Sequence, residues 1–189
     1  MPIVLLAALL FGAALGSQLP DIDLWLFFLV GQHRSGLTHS PLIPFLVWVA
    51  VRDREPWWNW FGAGLAAAFA AHFARDLFPA AWYGFAQIHL PIWGRLGGTL
   101  SVVWLLSSIV ACWYLALRFI AHRHLVPMVA LAAAVGFAFE LARGRWPMPV
   151  FWPVVVLLAT FALATMLPNP VIDGRVVARR WWAAASRSA

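Results

Sequence analysis

The sequence predicts an all-α integral membrane protein: a bundle of about six transmembrane helices in one domain over residues 1–170, with a polar tail over 171–189. Three observations predict it. Hydrophobic residues make up 63% of the 189 and charged ones only 11%, with a mean hydropathy of +0.82, against roughly 25% charged in a soluble domain. The apolar residues run in stretches of helix length. The polar residues gather into short islands, and ionisable groups placed beside apolar segments are costly unless something compensates them.

Along the chain, Ile3–Ser17 is the first helix. Met1 to Gly16 is apolar but has no positively charged lead, so it reads as an uncleaved span rather than a signal peptide. Leu24–Val30 is too short to cross and reads as a half-helix or re-entrant piece; such backbone is tolerated at membrane depth only where protein or a water-filled cavity satisfies it. Pro41–Val51, Trp60–Phe78, Leu100–Ala121, Pro127–Leu141 and Val150–Met166 complete the set. A span needs about 20 residues, fewer where the bilayer is thin or the helix is sheltered by protein. Gly12 with Gly16, and Gly62 with Gly64 and an alanine run, provide small surfaces for close helix packing. Tryptophans 57, 58 and 60, 146 and 152, and 181 and 182 cluster where interfaces are expected.

The chain has no lysine, and its formal charge of +6 comes from arginines in turns and in the tail. That distribution offers no stripe suited to nucleic acid. Cys112 is the only cysteine, which excludes disulfide and thiolate-metal frameworks within the chain. With a cytoplasmic N-terminus and six alternating helices, eight arginines fall inside and five outside, in agreement with the positive-inside rule. Both termini are then cytoplasmic, and the three polar islands share the opposite face.

Those islands are Pro20–Asp23, His33–Ser40 and His72–Asp76. His72 and Asp76, four apart on one helix face, can grip one ion; a self-contained His–Asp pair or an Asp76–Arg75 pair is the competing reading. Asp21 and Asp23 share a side only if the chain is extended there. In a helix they diverge by about 200°, and then decorate a helix start. His33 and His39 flank a turn through Gly36, with Thr38 and Ser40 placed to orient imidazoles and Ser40 also a candidate N-cap. Arg34 suits a phosphate or carboxylate. His89 is a further ligand, a substrate contact or an interfacial histidine. His122 and His124 read as loop residues, and Glu140 as a partner of Arg143 at i+3. Three carboxylates and three imidazoles suit Zn²⁺, with Mn²⁺ or Fe as alternatives, as one ion with supporting residues or as two ions.

The order Pro20-Asp21-x-Asp23, His33-Arg34-x-Gly36-x-Thr38-His39-Ser40, His72-x-x-x-Asp76 resembles the membrane-bound metal-dependent hydrolases, a family that includes a DNA-damage-inducible bacterial inner-membrane protein. The similarity runs from about Gly16 to Gly98. It implies a multi-pass protein of the bacterial inner membrane with a metal held by Asp21, Asp23, His33, His39, His72 and Asp76. Family members often carry a histidine near the N-terminus, and Met1 to Gly16 has none. The expected activity is hydrolysis of a phospholipid or lipid-linked (phospho)ester, with Asp21 or Asp23 as general base and Arg34, or less directly Arg75, on the phosphate. The expected partners are membrane lipids. The alternative is a non-catalytic scaffold or a small-solute transporter with a structural metal or polar cluster.

Overall fold

The computed structural model describes residues 2–26, 33–52, 54–120, 125–143 and 150–168. Expectations for residues 27–30, His122, His124, Trp146 and the tail over 171–189 lie outside the described residues. The helices are α1 (Pro2–Gly16), α2 (Ile22–Trp25), α3 (Leu42–Val51), α4 (Pro56–Asp76), α5 (Gly97–Phe119), α6 (Val126–Arg143) and α7 (Phe151–Met166). A 3₁₀ turn, Leu19–Asp21, joins α1 to α2. Two short strands, β1 (His89–Leu90) and β2 (Gly94–Arg95), form an antiparallel hairpin.

The centre of the molecule is α4. Its residues from Gly62 to Ala74 are all buried, packed against α1, α5 and α6 and, less extensively, α3 and α7. Small side chains make this possible, because a central helix must let several backbones approach at once. The α1–α4 crossing is the tightest: a Cβ on Gly12 would land on the Phe61 carbonyl, and one on Gly64 would land on the Leu9 carbonyl. Large apolar residues face outward instead, among them Phe11, Leu100, Val103, Leu158 and Leu163.

The mostly helical fold agrees with the all-α expectation, and helix ends fall within a few residues of those predicted. The count of about six spans is supported only in part. Among the described residues, two helical stretches, Ile3–Trp25 and Gly97–Phe119, are long and apolar enough to cross a membrane. α3 has ten residues and covers about 15 Å, half of a hydrocarbon core of about 30 Å. α4 is long enough at 21 residues, but Asn59, His72, Arg75 and Asp76 interrupt its apolar character.

Candidate metal centre

Pro20, in the first turn of the 3₁₀ segment, commits the following residues to helical backbone. Asp21 and Asp23 therefore diverge, and the extended geometry needed for both to face one ion is not adopted. Asp21 Oδ1 lies 3.5 Å from His72 Nε2. Asp23 is fully buried and turns to the 33–39 loop. Its Oδ1 pairs with His33 Nδ1 at 3.0 Å, and its Oδ2 accepts the Ser35 amide at 2.9 Å and Thr38 Oγ1 at 2.8 Å. The same Oδ2 is 3.3 Å from His39 Nδ1. Asp23 is thus the hub of the second island, which it folds around itself.

Four of the six predicted donors, Asp21, His39, His72 and Asp76, meet in one place, whereas Asp23 and His33 pair with each other beside it. His39 Nε2 is 3.2 Å from Asp76 Oδ2, and His72 Nε2 is 3.5 Å from the same oxygen. One ligand atom from each of Asp21, His39 and His72 lies within 4.8 Å of the others. Three of the converging atoms, His39 Nε2, His72 Nε2 and Asp76 Oδ2, are buried and have no hydrogen-bond partner. Their only mutual contacts are the ion pairs at 3.2 and 3.5 Å, which need a protonated imidazole; with both imidazoles neutral, the buried lone pairs are left for an ion to satisfy. Tetrahedral zinc with bonds of about 2.0–2.1 Å requires donor–donor separations of roughly 3.3–3.4 Å. Three of the donor pairs, at 3.2, 3.5 and 3.5 Å, lie close to that spacing.

Both histidines are aimed from behind. Nδ1 of His39 meets Asp23, and Nδ1 of His72 meets Glu140 Oε1 at 3.0 Å and the Ser17 carbonyl at 3.2 Å. An Nδ1–H donated to a carboxylate leaves the Nε2 lone pair facing the cluster, the arrangement that fixes tautomer and ring orientation in metal sites. Glu140 was not legible as part of the site. It sits on α6 and also accepts Arg75 NH1 at 2.6 Å. The signal that marks it in the sequence is a lone carboxylate within an apolar helix. The side chain of Arg143, its expected partner, lies outside the described set.

Four carboxylates (Asp21, Asp23, Asp76, Glu140) and two guanidiniums (Arg34, Arg75) around the two imidazoles leave two negative charges, which two imidazole protons balance in the metal-free chain and one divalent cation would balance in their place. Burial alone would lower the pKa of His39, but the carboxylates of Asp23 and Asp76 at its two nitrogens hold it above the ordinary 6.5.

Arg34 is buried in the left-handed region, at φ 56°. Its NH2 donates to Asp76 Oδ1 at 2.9 Å, and its NH1 to the carbonyls of Asp76 and Ala86 at 3.1 and 2.6 Å. The guanidinium thus offsets the clash between Asp76 and the negative C-terminal end of α4. Of its nitrogens, Nε has no hydrogen-bond partner. His89 contributes through its backbone, its amide donating to the Arg34 carbonyl and its carbonyl accepting the Gly36 amide, so the hairpin braces the turn that carries His33 and His39. Ser40 Oγ accepts the Leu42 amide at 3.3 Å at the start of α3.

No protein-family profile, curated protein or solved structure matches this chain.

Proposed function

We propose that the chain is a multi-pass protein of the bacterial inner membrane, with both termini cytoplasmic, that holds a divalent metal ion and hydrolyses a phospholipid or lipid-linked (phospho)ester. The observation that carries the reading is the buried cluster of His39 Nε2, His72 Nε2 and Asp76 Oδ2, with Asp21 Oδ1 3.5 Å from His72 Nε2. Asp21, His39, His72 and Asp76 would hold it, zinc ahead of manganese or iron on donor type and spacing. Bound there, the ion would supply Lewis acidity, acidifying a water and polarising an ester oxygen.

The protein's own residues divide the remaining work. Asp23 and Glu140 orient the two imidazoles, and Arg34 keeps Asp76 ionised and in place. Asp21 is the most exposed of the four ligands, its side chain 14% accessible against 9% for Asp76 and none for either histidine. It is therefore the carboxylate placed to accept a proton on the solvent side. A lipid-borne ester is favoured because the outward faces are apolar and the cluster sits at helix ends. The engagement of Arg34 with Asp76 and two carbonyls favours one competing reading, a purely structural ion.

Metal content by mass spectrometry on detergent-purified wild type, beside His72→Ala/Asp76→Ala, tests the site. One ion per chain, lost in the double variant while the helical signal persists, is expected. A folded wild type that takes up neither Zn²⁺ nor Mn²⁺ would sink the metal reading. If metal is present, a phosphoester screen with Asp21→Asn separates the rest: a folded, metal-loaded but inactive variant supports catalysis, whereas no turnover by wild type supports the structural ion.

A further inference from the structure

Between α3 and α5 lies an open cavity of about 760 Å³ with largely apolar walls, formed in part by Phe45, Trp48, Trp104, Ala111 and Leu115. From Trp104 to Arg118, both on its wall, α5 advances fourteen residues, or about 21 Å. That exceeds the roughly 15 Å of hydrocarbon in one leaflet. Its two ends differ in character. One is next to the metal centre, where Trp104 Nε1 donates to the His39 carbonyl at 2.7 Å. At the other, the Arg118 guanidinium lies 5.6 Å from the Trp48 ring centroid, and Arg52 lies 5.2 Å from the same ring. Trp48 Nε1, a donor, is buried there with no hydrogen-bond partner.

We propose that this groove binds an anionic phospholipid, its phosphate beside Arg118 and Arg52 and an acyl chain laid along α5 toward Trp104. The apolar length suits a chain and little else. Two guanidiniums near one indole, whose own N–H has no hydrogen-bond partner, suit a phosphate oxygen. Pro168 lies at this end, its carbonyl accepting the Tyr114 hydroxyl at 3.3 Å. The inference rests on the membrane part of the function proposed above and not on the metal.

The test is native mass spectrometry of the full chain in detergent with equimolar dioleoyl phosphatidylglycerol and dioleoyl phosphatidylcholine, with metal content read on the same samples. Wild type is expected to retain one phosphatidylglycerol in preference to phosphatidylcholine. Arg118→Gln should lower that preference about fivefold, and Arg52→Gln with it should bring the two lipids near parity. Ala111→Trp, which fills the groove, should abolish retention of both, with metal content unchanged. Equal retention of the two lipids by wild type, or an unchanged preference in the double arginine variant, overturns the proposal. So does full retention by folded Ala111→Trp; if that variant does not fold, the arginine variants decide. Wild type that keeps phosphatidylglycerol but holds no metal would remove the metal reading and leave this one standing.

Discussion

From Gly62 to Ala71, α4 is buried by closeness of approach; from His72 to Asp76, where only Arg75 is partly exposed, the same helix is held by charge balance. In the first part nothing polar is at stake, and the requirement is that no side chain be larger than its neighbours allow, as at Gly64 against the Leu9 carbonyl. In the second part, side-chain size matters little compared with the placement of donors and charges, since His72, Arg75 and Asp76 are matched to groups on two other segments, α6 and the 33–40 loop. One helix thus shows two ways of making a buried position intolerant to change, and they fail differently: the first loses the fold, the second loses the site.

Gly64→Leu should break the comparison most severely. Its side chain must displace the α1 backbone, at a cost of about 3 kcal/mol or more, and a collapse of helical signal and metal content together is expected on thermal melting in detergent. An intact melt would mean that α1 can move away from α4. Next in size, Glu140→Gln keeps shape but removes the charge behind His72 and, with a single acceptor oxygen, one of the two hydrogen bonds that Glu140 accepts from His72 and Arg75. Metal affinity should fall about 10–100-fold with the melt nearly unchanged, measured by competition with a chromophoric chelator. Asp23→Asn should weaken metal binding to a similar degree and, because Asp23 also holds Ser35 and Thr38, should increase proteolysis between residues 33 and 40, which Glu140→Gln should not.

The smallest effect is on pH. The pKa of His39 is raised above 6.5 in the metal-free chain, so its proton stabilises that state fully below about 6.5. The contribution disappears as pH rises through the raised value. With chelator present, the melting temperature should therefore decline on the alkaline side, and saturating metal should flatten that decline by replacing the proton. Conversely, metal uptake should weaken toward acid pH as the proton competes for Nε2.

Much of this was legible in the sequence. The apolar runs placed the helices, and Pro20–Asp23, His33–Ser40 and His72–Asp76 supplied every atom that now converges, because each island is a local motif whose chemistry survives without knowledge of its neighbours. The division of labour between Asp21 and Asp23 was not legible, since it depends on whether the backbone after Pro20 is helical or extended. Nor was Glu140, whose spacing from Arg143 suggested a local pair, whereas packing of α6 on α4 brings it to His72. The bracing hairpin was missed because its strands are two residues long, too short for any alternation to register.

The pairing of His72 with Glu140 also sets an order of events during synthesis. All four proposed ligands have been made once residue 76 leaves the ribosome, but the carboxylate that orients His72 comes 68 residues after that histidine. At about 5–20 residues per second the gap is roughly 3–14 s. During that interval the nascent protein carries its ligands without their full alignment, so high-affinity capture of an ion waits for α6 to arrive.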